Sequence, residues 1–140
     1  MQGLFLEDLS VGQSADLVRT VGEADIIAFA AVTGDNNPVH LDADYAATTN
    51  FGERIAHGML SAGYISAVIG TTLPGPGAIY LSQSLRFKRP VKIGDEVTAR
   101  ATITEIDDAK ARVTLATVCL VNGKPVVEGE ALIMVPRKAA

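Results

Sequence analysis

The sequence predicts an α+β fold, with an antiparallel β-sheet wrapped around one long apolar helix. Three observations predict it. The first half carries apolar residues at helical spacing, and the second half alternates apolar and polar residues as strands do. Between them, residues 59–69 are apolar almost all round, the mark of a buried helix. Helices followed by runs of strand, rather than regular alternation of the two, imply an antiparallel sheet.

The elements follow in order. A strand is expected near Ser14–Val21. Residues 23–33, "EADIIAFAAVT", place Ile26, Ile27, Ala30 and Ala31 at helical spacing, and Gly34 supplies a C-terminal cap. A short helical turn is expected over 43–48, with Asp42 as its N-cap. The buried helix then runs from Gly58 to Ile69, with Gly63 and several alanines allowing close approach. In "AIYLSQSLRFK", residues 78–88, Ile79, Leu81, Leu85 and Phe87 alternate with Tyr80, Ser82, Ser84 and Arg86. Gly94-Asp95 punctuates before a strand over 96–106. Strands over 111–121 and 126–135 meet across Asn122-Gly123, a strong hairpin turn signal. One apolar helix inside a long sheet is the hotdog arrangement. Such a sheet leaves an exposed edge, which pairing between two chains would remove, so a homodimer is expected.

Composition narrows the function classes. The chain has 140 residues, enough for one core, and no linker or repeat divides it, so 1–140 is expected to be a single domain. Hydrophobic residues make up 48% and charged residues 20%, which is globular composition rather than disorder. The net charge of −4 leaves no basic footprint for nucleic acid or an acidic membrane. Cys119 is the one cysteine, so no internal disulfide or cysteine-based zinc site can form, and its strand setting implies a buried, inert thiol. The N-terminus lacks a basic start and a sustained apolar run, and the apolar stretch 62–69 is too short to span a bilayer. A cytoplasmic protein is expected.

The chemistry gathers in Gly34–Ala46, "GDNNPVHLDADYA", a polar break just past the first helix. Pro38 biases Asn37 away from helical geometry, so the segment must loop. That loop can bring the Asp35 carboxylate and the His40 imidazole onto one water, one group taking a proton while the other supplies one. Histidine suits the task because it titrates near neutrality. The spacing alone also fits a loop in which Asp35 merely bonds its own backbone, and both readings stay open at this point. Further on, "IAHGML" puts His57 and Gly58 at the start of the buried helix, whose unpaired N–H groups can hold an oxygen gaining negative charge. Glycine there admits close approach to the backbone. His57 reads better as a structural histidine at the helix entry than as a second base. Ser66, two turns on, is a candidate pocket-lining residue, against the alternative of a hydroxyl bonded to its own helix.

These residues resemble a known family. The chain is similar to the MaoC-like hydratases of the hotdog fold, most closely the small stand-alone (R)-specific enoyl-CoA hydratases, which supply (R)-3-hydroxyacyl-CoA, for instance to polyhydroxyalkanoate synthesis. The resemblance runs through "FAAVTGDNNPVHLDADYAATTNFGERIAHGML", "LPGPGAIYLSQSLRFKRPVKIGDEV" and the closing hairpin. It implies that Asp35 and His40 are the catalytic pair, that Asn37 is a supporting polar residue, that the Gly58 N–H is the oxyanion donor, and that Ser66 lines the site. It implies an acyl-CoA thioester as substrate, no cofactor and no metal. The basic run Arg86, Lys88, Arg89 and Lys92 is then expected near the phosphates of coenzyme A, and side chains such as Tyr64 and Ile69 near the acyl chain. Dehydration of (3R)-hydroxyacyl chains on acyl carrier protein, thioester hydrolysis, and a non-catalytic acyl-binding subunit are the rival readings.

Overall fold

A computed structural model describes residues 2–139. A 3-10 turn at Leu6–Asp8 precedes β1 (Ser14–Thr20), α1 (Glu23–Thr33), α2 (Pro38–Leu41), α3 (Ala43–Ala47) and α4 (Gly58–Thr71). Four strands follow: β2 (Ile79–Phe87), β3 (Glu96–Asp107), β4 (Arg112–Val121) and β5 (Lys124–Met134). With β1 they form one five-stranded antiparallel sheet in the order β1-β3-β4-β5-β2. The hotdog arrangement read from the sequence is therefore the observed one.

Local chemistry sets the boundaries. Gly34 ends α1 in the left-handed region, φ 81°, and its N–H returns to the Ala30 carbonyl at 2.9 Å. Asn122 and Gly123 both take positive φ, 51° and 76°, as a two-residue turn matched to strand twist requires. β4 and β5 thus close on the pair Val121–Lys124.

The core lies between α4 and one face of the sheet. Ile65, Val68 and Ile69 of α4 pack against a layer that includes Val97, Ala99, Ala101 and Ile103 of β3, Leu115 of β4 and Ile133 of β5. All of these are essentially inaccessible to solvent. Burying each of the valine, leucine and isoleucine side chains contributes roughly 1.5–3 kcal/mol.

β2 departs from its expected alternation. A bulge between Tyr80 and Ser82 shifts its register against β5. Being an edge strand, it covers little of the core, and Ile79, Tyr80, Leu81 and Phe87 are all exposed. No described helix is long and apolar enough to cross a membrane.

Cys119 is buried beneath α4, where its Sγ–H donates to the Ser61 carbonyl at 3.4 Å. Burial pushes its thiol up to about 12, so the nucleophilic thiolate is absent near neutrality. The native protein is expected to resist iodoacetamide at pH 8 and to label fully once unfolded, as read by intact mass. Rapid labelling of the folded protein would show that β4 is open to solvent.

Candidate active site

The segment after α1 folds by successive side-chain caps. Asp35 Oδ1 accepts the Asn37 N–H at 3.2 Å. Asn37 is extended, φ −55° and ψ 124°, and its Oδ1 accepts the Val39 N–H at 3.2 Å. It thereby caps α2, a single turn that sequence reading missed; Asn followed by Pro is the signal, a cap residue ahead of the residue best suited to the first helical position. Asp42 then caps α3, as expected, accepting from Asp44 and Tyr45. The turn of α2 carries His40 inward, to 8% exposure.

A second segment, residues 54–57, fixes that histidine. The Ile55 N–H donates to the Val39 carbonyl at 3.3 Å, and the His40 Nδ1–H donates to the Ile55 carbonyl at 2.8 Å. A carbonyl only accepts, so Nδ1 carries the proton and neutral His40 presents Nε2 as a bare lone pair. His57 occupies the N-cap position of α4 but makes no side-chain bond to that helix. Its Nε2–H donates instead to the backbone carbonyl of Asp35 at 3.0 Å. Its ring stacks on His40 with centroids 3.9 Å apart and planes 29° from parallel, and Phe29 packs on it at 4.7 Å. His57 is 2% exposed, and its Nδ1 has no partner among the described residues. His57 thus joins the two halves of the site, Asp35 through its backbone and His40 through its ring.

One donor atom from each of Asp35, His40 and His57 lies within 4.8 Å of the others. Such a gap suits one water bridging two acceptors at about 2.8 Å each. A shared metal ion fits the set less well, since stacked imidazoles direct their in-plane lone pairs side by side rather than to one point.

A cavity of about 420 Å³ opens beside this cluster, with His40, Gly58, Ser61, Phe87, Val91 and Val127 among the residues lining it. Gly58 is the first residue of α4, so its N–H belongs to those a helix leaves unpaired. Its lack of a side chain has a reason the sequence did not show. A Cβ there would lie 2.6 Å from Phe87 Cδ1, because that ring rests on the helix start. Lys88 and Arg89 line the mouth and extend into an adjoining cavity of about 310 Å³. Lys92 lies outside both cavities and pairs with Glu53 at 3.4 Å, while Glu128 of β5, opposite Arg86 of β2, pairs with Lys88 at 3.3 Å.

Ser66 does not line this cavity. Eight residues from Gly58 is about 80° past two whole turns, which sets Ser66 on the exposed outer face of α4. Ser61, one turn from Gly58, faces the cavity instead. Spacing of three residues, rather than eight, was the signal that would have found it. Ile69 is buried in the core, and Tyr64 is half-buried against it.

The fold defines a hotdog protein, with Asp35, His40 and His57 clustered at the start of its long helix. The MaoC like domain model matches residues 8–123, and the chain belongs to that family. It is 58% identical over 134 residues to an (R)-specific enoyl-CoA hydratase of Rhodospirillum rubrum, covering 96% of this chain and 93% of the relative. An (R)-specific enoyl-CoA hydratase of Aeromonas caviae is 47% identical, with 93% and 98% covered. Among solved structures, an unliganded R-hydratase of Pseudomonas aeruginosa superposes with a TM-score of 0.92 at 54% identity, over 97% of this chain and 88% of that one.

The contact between Gly58 and Phe87 gives a stability prediction. Gly58→Ala is expected to cost about 1 kcal/mol by overpacking. Adding Phe87→Ala should remove most of that cost in a double-mutant cycle measured by denaturant unfolding. Strictly additive effects would show that the two residues do not meet.

Proposed function

We propose that this chain is an (R)-specific enoyl-CoA hydratase, adding water across C2=C3 of trans-2-enoyl-CoA among the soluble thioesters of the cytoplasm. The observation that carries the reading is the juxtaposition of three groups. A carboxylate oxygen of Asp35 lies within 4.8 Å of a ring nitrogen of His40, and His40 and Gly58, the first residue of α4, line one apolar cavity with Lys88 and Arg89 also on its wall.

The chemistry follows from those atoms. Asp35 and His40 Nε2 are both acceptors, so one water donates a hydrogen to each and turns an oxygen lone pair toward C3. Its proton passes to the pair as the C3–O bond forms, and C2 then receives a proton from the same side. The π electrons move onto the thioester oxygen, where the Gly58 N–H and the positive end of α4 stabilise them. One such donor contributes about 3 kcal/mol in other enzymes. Asn37 acts by holding the loop through its cap of α2. Arg89, and Lys88 with its partner Glu128, line the adjoining cavity, which supports assigning them to the phosphates of coenzyme A.

We further propose that the protein works as a homodimer. The apolar side chains exposed on the edge strand β2 support it, as do the apolar outer side chains of α1, Ile27 and Val32. A sedimentation mass near twice the 14.6 kDa of the chain is expected at micromolar concentration, and a monomer would overturn the proposal.

The activity itself is read from the ultraviolet band of crotonyl-CoA, which should disappear without release of free thiol. Thiol release would indicate a thioesterase, and no change would indicate a binding subunit. Asp35→Asn and His40→Gln should each lower kcat by about 10²–10⁴ with modest change in KM. Because the two groups share one water, the double variant should be little worse than the poorer single one. Variants that lose melting temperature but keep their turnover would return the loop to a structural role.

A further inference from the structure

The His40 ring is oriented by Ile55, but its backbone is held separately. The Arg54 Nε–H donates to the His40 carbonyl at 2.7 Å. The two remaining arms of the same guanidinium form a fork on Glu23, with Nη1 to Oε2 at 2.8 Å and Nη2 to Oε1 at 3.0 Å. Arg54 is largely buried, its side chain 16% exposed, while Glu23 is half-exposed at the first position of α1. The hydration step uses neither residue.

We propose that Arg54, clamped by Glu23, is a positioning residue for His40. The inference rests on the hydratase reading of that histidine. α2 is a single turn of four residues, held internally by little more than the bonds from Asp42 N–H to Pro38 and from His40 N–H to Asn37. An isolated turn of that length has no stability of its own in water. The direction of the imidazole depends on the backbone beneath it, so a bond at the His40 carbonyl controls where Nε2 points. Arg54 supplies that bond from a stretch between α3 and α4 that lacks a regular element of its own, and Glu23 anchors Arg54 to the long helix α1.

The choice of side chains fits the task. A guanidinium can grip a carboxylate with two N–H groups and still direct Nε–H to a third acceptor, which an ammonium group cannot do in fixed geometry. Without Glu23 the arginine would keep much of its rotamer freedom and hold His40 weakly. With it, the two charges offset one another. The clamp then orients a group that must gain a proton without setting an uncompensated positive charge beside it. Glu23 also complements the positive end of α1, so its carboxylate is held where Arg54 needs it.

The test compares Arg54→Met, Arg54→Lys, Glu23→Gln and the Glu23→Gln/Arg54→Met double variant. Turnover and KM are measured on crotonyl-CoA, beside melting temperature and the NMR signal of the His40 Nδ1–H. Arg54→Met should lower kcat about tenfold with KM within about twofold, as small misplacement of a reacting group does. Arg54→Lys should not rescue it. Glu23→Gln should cause a smaller loss, and the double variant should match Arg54→Met alone, because Glu23 acts only through Arg54. The Nδ1–H signal, slow to exchange in the parent protein, should broaden in Arg54→Met. Unchanged turnover per folded molecule with a lowered melting temperature would overturn the proposal, as would losses that multiply in the double variant. If the parent protein fails to hydrate crotonyl-CoA, the hydratase reading falls on its own. The NMR signal then decides the positioning, and a sharp signal in Arg54→Met overturns it.

Discussion

The structure depends on the burial of α4 against one face of one sheet. The helix is apolar on nearly every side, yet it is not buried all round as that composition suggested: Ser61, Ile65, Val68 and Ile69 form the buried stripe, while Met59 and Ser66 stand exposed on the other face. The sheet meets it with small residues at the centre, Ala99 and Ala101 on β3 and Ala131 on β5, and with Ile103, Leu115 and Ile133 filling the space around them. Small residues under the helix axis allow close approach, and the branched ones beside it restore packing density. The placement of α4 determines where its first N–H points, and that N–H is one wall of the site.

The remaining walls are polar groups whose hydrogen bonds are used for alignment. Asp35, Asn37 and Asp42 each bond a backbone N–H two or three residues on, which turns a glycine-ended helix into two short helical turns. Segment 54–57 runs alongside and is tied in turn to the Val91–Lys92 stretch by the Ala56 N–H to Val91 carbonyl bond at 2.7 Å. His57 then binds backbone from one side and stacks against His40 on the other. Each bond here is worth about 1 kcal/mol of stability on its own. Their joint effect is orientation: a tautomer fixed by a carbonyl, and a lone pair left bare beside a carboxylate.

Exposed apolar side chains remain on two elements. Edge strand β2 exposes four large apolar side chains, and α1 exposes two more, Ile27 and Val32. Phe87 belongs to both descriptions, resting on Gly58 at the cavity while standing half in solvent. The site and the edge of the sheet are therefore neighbours, and the cationic mouth formed by Lys88 and Arg89 continues from the same strand end.

The sequence by itself determined the order and type of the main elements, because each carries its signal locally. Period 3.6 against period 2, Gly34 as a helix stop, Asp42 as a cap and Asn122-Gly123 as a turn are all choices made within a few residues. It also placed Asp35, His40 and Gly58 together as site candidates, since loop and helix start are close in the chain. Tertiary structure decided what depends on partners far away in sequence. The bulge and exposure of β2 follow from its place at the edge of the sheet, which alternation within the strand cannot reveal. Ser61 rather than Ser66 faces the cavity because the helix is rotated by its packing on the sheet, and periodicity alone was blind to that rotation. Gly58 is glycine at least partly because Phe87, 29 residues on, lies against it. The tautomer of His40, the stacking of His57 and the grip of Arg54 on both Glu23 and His40 are long-range bonds, and a chain acquires them only once it has folded.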